Sequence, residues 1–373
     1  MSKARQLADL GNVYDDGALS NRNLIINGAM QVAQRGTSVT GVTSSGYRTC
    51  DRFVVSMLTL GTWTISQSTD APEGFANSLK LDCTTADASP AAGDYLFIDQ
   101  RIEGQNLQML KKGTSNALPL TLSFWVKSSK TGDFQVNLND IDNTRIISSV
   151  VTINATSTWE QKTITFDGDT TGTLGNDNDT SLRVEMWFDA GSNWTSGATA
   201  TAWESLVSAD RAAGTTLALG NSTSNELYIT GVQLEVGDTA TPFEHEPYSV
   251  TLQKCQRYYQ IWGAKGKDYH AKPMWIYNST QAATAIDLPQ DMRAAPSFSV
   301  VGNVQNSSGG SVGVSAWALY YAGNWVGCSA LEAGTASPTS FRLDADSFDS
   351  ITSGGACGLY GGTDCYITLD SEL

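Results

Sequence analysis

Along this chain apolar residues alternate with polar ones in short runs, and no long stretch repeats them at the helical i, i+3, i+4 spacing. In SLRVEMWF, Leu182, Val184, Met186 and Phe188 share one phase, and Arg183, Glu185 and Trp187 share the other. In TLSFWVK, Leu122, Phe124 and Val126 oppose Ser123, Trp125 and Lys127; in YLFIDQRI, Leu96, Ile98 and Ile102 oppose Phe97, Asp99 and Arg101. Each run predicts a strand with one apolar face turned to a core and a second face that mixes an aromatic with charge. Such a second face either binds something or is covered by another subunit.

The same pattern places strands at Asn23 to Gly28, Arg52 to Met57, Thr62 to Gln67, Ser78 to Cys83, Tyr95 to Ile102, Pro119 to Lys127, Phe134 to Leu138, Arg145 to Ile153, Trp159 to Phe166, Ser181 to Phe188 and Leu227 to Val236. Gly, Asn, Asp and Ser turns separate them, as in a two-sheet jelly roll. In the last strand Leu227 and Ile229 have one phase and Val232, Leu234 and Val236 the other, so a bulge is expected at Gly231. Pro242 and Pro247 then hold the chain extended, which predicts a domain boundary near Tyr248. Pairing of Val232 to Val236 with Asn23 to Gly28 would bring the entry and exit of this domain together.

Beyond Tyr248, Thr251 to Tyr259 is expected to form a brief helix or to lead straight into a strand through Ile261, and strands follow at Pro273 to Tyr277, Ala283 to Leu288, Phe298 to Val301, Ser311 to Leu319 and Tyr366 to Leu369. Gly- and Ser-rich loops are expected at Asn303 to Gly313 and Ser350 to Gly362. The fold class expected is all-β: a jelly-roll sandwich over residues 23–248 and a smaller β-sandwich over 249–373. Residues 1–22 form a short helical or extended arm, too short to hold a helix in water without a partner surface.

Composition narrows the partners. With 38 acidic and 23 basic residues the formal charge is −15, a field that repels nucleic acid and anionic membranes and keeps the chain soluble. No apolar run reaches the ~18 residues of a membrane span, and MSKARQLADLGN lacks a signal peptide's apolar core. Synthesis in a cytosol, with no membrane insertion, is the expectation. The six cysteines, Cys50, Cys83, Cys255, Cys328, Cys357 and Cys365, show no CxxC and no Cys/His cluster. Cys357 and Cys365 could face each other across a hairpin, but buried thiols are expected in a reduced compartment.

Gly309, Ser311 and Gly313 satisfy G-x-S-x-G, yet His245 and His270 both precede the serine, so the triad order fails and the segment reads as a loop. A glycosidase needs two carboxylates beside a sugar cleft, and no acid pair stands out. Asp140, Asp142 and Asn143, with Asp167, Asp169, Asp177, Asn178 and Asp179, offer oxygen ligands for a possible calcium ion; Asx residues are also ordinary turn formers. No other cofactor is implied. The aromatics carry more: a sugar ring stacks its C–H face on an aromatic plane while its hydroxyls seek polar groups. Candidates out of phase with the core or in loops are Trp125 and Trp187, Trp194 and Trp203, and Tyr320, Tyr321 and Trp325. A subunit interface is the rival reading for the first pair, and a solvent-exposed distal cluster is expected of the loop residues.

In consecutive order, NLIINGAMQVAQRGTS, YRTCDRF, QRIEGQNL, LTLSFWVKSSKTG, STWEQKTITFDGDTTGTL, NELYITGVQLEVGDTATPFEHEPY and LQKCQRYYQ resemble a module of bacteriophage tail-fibre and minor structural proteins, whose jelly roll is similar to carbohydrate-binding modules. The resemblance spans about Asn23 to Gln260. IDLPQDMRAAPSFSV and CYITLDSEL resemble the small β-sandwich that follows it in phage fibres, and SKARQLADLG resembles the start of fibres in marine and cyanobacterial phages. It implies a non-enzymatic virion protein, a homotrimer docked to phage tail or capsid proteins through residues 1–22, that attaches the particle to a host cell-surface glycan. A structural adaptor or decoration protein and a polysaccharide-degrading tailspike-like enzyme are the alternative readings.

Overall fold

A computed structural model describes residues 21–263, 270–304, 316–347 and 351–373. The chain divides into two compact units, one running to Leu252 and the other from Gln253 to Glu372. The division falls inside a helix, Tyr248–Gln256. Residues 1–20 of the expected arm, and Gly309, Ser311 and Gly313, lie outside the described residues.

The first unit is built from β1 (Ser38–Tyr47), β2 (Val54–Ser68), β3 (Ser78–Thr85), β4 (Tyr95–Glu103), β5 (Leu120–Ser128), β6 (Gly132–Asp140), β7 (Arg145–Ile153), β8 (Glu160–Phe166), β9 (Thr180–Ala190), β10 (Glu204–Ser205) and β11 (Glu226–Val236). Hydrogen bonds link them in the order β10-β7-β6-β9-β4-β2-β3-β11-β5-β8, with β1 beside β2. The expected strands at Arg52 to Met57 and Thr62 to Gln67 are one strand, β2, whose first part pairs with β4 and whose last part pairs with β3. It turns between the two sheets at Thr59 and Gly61, both at positive φ. A Cβ on Gly61 would stand 2.3 Å from the Thr85 carbonyl oxygen, so only glycine fits this corner.

The two sheets close on one core. Leu182, Val184, Met186 and Phe188 of β9 meet Leu122, Phe124 and Val126 of β5 there, as the alternation requires. β11 carries its bulge at Gly231, φ +62°, where the register with β5 slips between Thr230 and Gln233. Residues 23–28 are not the strand their pattern suggests: Asn27 and Met30 adopt positive φ and the segment turns. It still runs against β11, through Leu24 N–H to the Leu234 carbonyl at 2.8 Å and Val232 N–H to the Gly28 carbonyl at 3.0 Å. β1 was not foreseen, because only Val42 of its ten residues is buried and its polar composition carries no core signal.

The second unit holds a three-stranded sheet, from β12 (Tyr259–Gly263), β15 (Ser297–Val301) and β22 (Tyr366–Asp370), and an eight-stranded one. The larger sheet runs β16 (Asn303–Val304), β17 (Ala316–Tyr321), β21 (Ala356–Gly361), β13 (His270–Ile276), β14 (Gln281–Asp287), β20 (Ser340–Ser347) and β19 (Cys328–Ala336), with β18 (Asn324–Val326) beside β17. Met274, Leu319, Leu343 and Leu359 of the large sheet share a core with Ile367 and Leu369 of the small one. This is the smaller β-sandwich. β19, β20 and β21 were not expected, and β21 occupies part of what reads as a Gly-rich loop. All six cysteines are buried and none is in a disulfide, Cys357 and Cys365 included.

Candidate functional site

The outer face of the β7-β6-β9-β4 sheet is the mixed face read from the sequence, and the chain covers it itself. Gln135, Asn137, Glu185 and Trp187 face a loop that carries Asp210 and Arg211: Gln135 Nε2 donates to the Asp210 carbonyl at 2.7 Å and Asn137 Nδ2 to the Arg211 carbonyl at 2.8 Å. Arg211 pairs with Glu185 at 2.7 Å and lies 4.7 Å from the Trp187 ring centre. Trp187 stacks on Phe97 at 4.2 Å and is fully buried. It therefore offers no plane to a ligand, which corrects its candidacy; the burial follows from Arg211 filling the space above it. Trp125 is half-buried on the outer face of the other sheet, beside Gly231 and Phe75, so these two residues do not form one surface.

Trp194 and Trp203 do not form an exposed cluster either. Trp194 packs edge-on against Tyr95 and donates Nε1–H to the Gly93 carbonyl; Trp203 packs on the core and donates to the Asp167 carbonyl. Their indole N–H groups need buried acceptors, which ties loop to sheet. Asp99 and Glu185 lie opposite each other across β4 and β9. Burial raises the Asp99 carboxyl above its ordinary range; burial acts the same way on Glu185, but Arg211 and hydrogen bonds from Asn139 and Trp187 outweigh it and lower that carboxyl. With Asp99 1 % and Glu185 0 % exposed, this pair is closed to a substrate.

Of the candidate calcium ligands, Asp140 and Asp169 are paired with cations of the chain. Lys112 Nζ sits 2.9 Å from Asp140 and 2.8 Å from Asp169, and Arg145 also binds Asp169. Asp142 accepts from the Gly175 N–H and Asp177 from the Asp179 N–H, as turn residues do. Among the described residues no group of His, Cys, Asp and Glu is placed to hold a metal ion.

The open surface lies in the second unit, on the outer face of its large sheet. Alternation along β13 sends Met274 and Ile276 inward and leaves Trp275 outward, 62 % exposed. Trp275 stands opposite Ala283 on β14, and Ala283 opposite Asp344 on β20. Small residues here leave a depression of about 920 Å³ lined by Pro273, Trp275, Tyr277, Ala285 and Arg342. Arg342 Nη2 donates to Asp344 Oδ1 at 2.6 Å and its guanidinium lies 5.2 Å from the Tyr277 ring centre. Burial and the neighbouring Asp344 raise the Tyr277 hydroxyl above its ordinary value.

Tyr320 and Trp325 lie on the same face and meet at 5.0 Å; Tyr360 completes the cluster, 5.0 Å from Trp325 and 6.1 Å from Tyr320. Its ring lies over Gly358, where a Cβ would meet it at 2.8 Å. Tyr321 points the other way, packs on the core and accepts the Thr352 N–H. Sequence reading thus reached Tyr320 and Trp325 but missed Trp275, Tyr277, Tyr360, Arg342 and Asp344. The signal for Trp275 was present in its phase, opposite to Met274 and Ile276.

Taken together, the chain is an all-β protein of a jelly roll and a smaller β-sandwich with an exposed aromatic and charged sheet face. No protein-family model matches it, and no curated protein does. Among solved structures it is similar to the enzymatically active domain of bacteriophage CBA120 tailspike protein 4, with 12 % identity over 58 % of this chain and 21 % of that one, at a TM-score of 0.30. The chain thus spans about a fifth of that protein. It is also similar to TmCBM61, solved in complex with β-1,4-galactotriose, with 10 % identity over 58 % of this chain and 99 % of that one, at 0.29. A family 11 carbohydrate-binding module of a cellulosomal cellulase of Clostridium thermocellum matches with 11 % identity over 59 % of this chain and 97 % of that one, at 0.26. Superpositions this loose carry no argument, and the fold assignment rests on the strand order above. Among the described residues no helix is long and apolar enough to cross a membrane.

Proposed function

We propose that this chain is a non-enzymatic bacteriophage virion fibre protein that attaches the particle to its host by binding surface glycan. One observation carries the reading: Trp275 is held 62 % exposed on a rigid sheet, beside a guanidinium and a carboxylate that could meet sugar hydroxyls. An apolar plane of this size gains by covering its C–H-accepting face, and strand-borne polar groups supply direction. The consecutive fibre-like motifs over Asn23 to Gln260 support the virion assignment. On this reading the protein is a homotrimer docked to tail or capsid proteins through residues 1–22, and weak contacts gain avidity from several copies per particle.

Adsorption competition tests it. Purified full-length protein should block attachment of the phage to its host, and the Trp275→Ala protein should block it much less. Equal blocking by both proteins would remove Trp275 from the contact, and no blocking by either would overturn the attachment role.

A further inference from the structure

We infer that the aromatic face of the second unit takes an extended glycan chain without acidic groups, bound along its length across the strands, and not a single terminal sugar or an anionic polymer. This rests on the glycan-binding reading and adds the ligand's length and charge.

Length follows from the register. Trp325 lies opposite Tyr320, Tyr320 opposite Gly358, and Gly358 opposite Pro273, two residues before Trp275. From Tyr320 on β17 to Trp275 on β13 the path crosses two strand spacings, roughly 10 Å at the usual ~4.8 Å between neighbours. One sugar ring covers one aromatic plane and cannot reach the other. Between them the floor is the Tyr360 ring over Gly358, with Pro273 opposite that glycine, and beside Trp275 it is Ala283 and Ala356.

Charge follows from the groups on that face. Arg342 is already matched by Asp344. Alternation along β20 sends Asp346 outward with them, and Glu332 on β19 stands opposite Asp344. Asp287 has the outward phase of Ala283 and Ala285 on β14, so among the described residues one guanidinium shares the face with four carboxylates, on a chain of net charge −15. An anionic polymer would have to displace Asp344 from Arg342 and approach the other acids. The Arg342–Asp344 pair instead offers a donor and an acceptor side by side, which suits neighbouring hydroxyls. The surplus of carboxylates does not repel an amine-bearing chain, so only acidic glycans are excluded.

The test is binding of the intact protein to an immobilised panel of neutral, uronic-acid and free-amine oligosaccharides from one to six residues, together with the Trp275→Ala and Tyr320→Ala variants. Both side chains are exposed, so the folded state is expected to survive, and circular dichroism checks it. Binding is expected to neutral and free-amine members and not to uronic-acid ones, absent for monosaccharides and rising with length. Each variant should weaken hexasaccharide binding about tenfold, in line with the loss of one aromatic contact. For the disaccharide only one of the two variants should matter. Binding to uronic-acid members, or equal binding of monosaccharide and hexasaccharide, would overturn this inference while leaving glycan attachment standing. No binding anywhere on the panel by a protein that still blocks adsorption would overturn the inference and move attachment to another ligand. No binding together with no blocking would overturn both.

Discussion

The Arg211 guanidinium lies 4.7 Å from the centre of the Trp187 ring and 2.7 Å from Glu185, so one loop residue satisfies a buried indole face and a buried carboxylate together. Arg211→Ala leaves Glu185 without its counter-charge in a water-excluded site. Removing one partner of a buried pair typically costs about 3–5 kcal/mol. Urea unfolding of the variant should show a loss of that size with an unchanged slope; a loss below about 1 kcal/mol would mean that water reaches Glu185.

Asp189 gives a pH signature of known sign. Burial raises its carboxyl from 3.8 to about 6, although it accepts the Gly220 N–H at 2.8 Å. The folded state therefore holds this proton more tightly than the unfolded one. The group's contribution favours folding below pH 4 and turns unfavourable as pH rises through that window. Asp189→Asn keeps the acceptor and removes the charge, so the variant should gain on the wild type between pH 4 and 6.5, read from melting temperatures. A difference that does not change with pH refutes the assignment.

Glu160 should behave in the opposite sense. Burial alone would raise its carboxyl, but Lys162 and N–H donors at Asn154 and Ala155 hold it near 2, down from 4.5. Its stabilisation is complete above pH 4.5 and is lost as pH falls towards 2. Glu160→Gln should be less stable than the wild type at pH 6 and equal to it near pH 2.

Thiol chemistry should be silent in the folded protein. All six cysteines are buried, and burial pushes Cys50 and Cys328 up to about 12 and Cys357 to about 11. A thiol reagent at pH 8 should modify none before unfolding and all six after it. Rapid labelling of one site in the native protein would contradict the burial.

The entry and exit of the jelly roll are clasped by Glu244. Its carboxylate accepts the Asn21 N–H at 2.7 Å and the Asn23 N–H at 3.0 Å, while Arg22 donates to the Pro242 carbonyl at 2.6 Å. Glu244→Ala should lower stability by about 1.5 kcal/mol, the value at which the ranges for ordinary hydrogen bonds and for those to charged groups meet. Amide exchange should quicken at Asn21 and Asn23 and stay unchanged at Leu122.

Much of the body was legible because its strands are buried on one face, and burial writes itself as a period of two. Leu182, Val184, Met186 and Phe188 could only face a core, and Gly231 could only break the register. β1 escaped because it buries one residue, and β21 because Gly358 and Gly361 make a strand look like a loop. Residues 23–28 misled for a related reason: an apolar run says that a segment is buried, and not that its backbone is extended.

The functional surface divides along the same line. Phase placed Trp187 on an outward face, the phase of Trp275 was open to the same reading but went unread, and nothing in the local pattern separates the two. Only the tertiary structure does, because Arg211 comes from 24 positions further along the chain to close one face, while Ala283, Ala285 and Gly358 keep the other open. Outward direction is a property of the strand, fixed by backbone geometry within a few residues. Exposure depends on what long-range folding lays on top, and that information is spread over elements that meet only in the folded state.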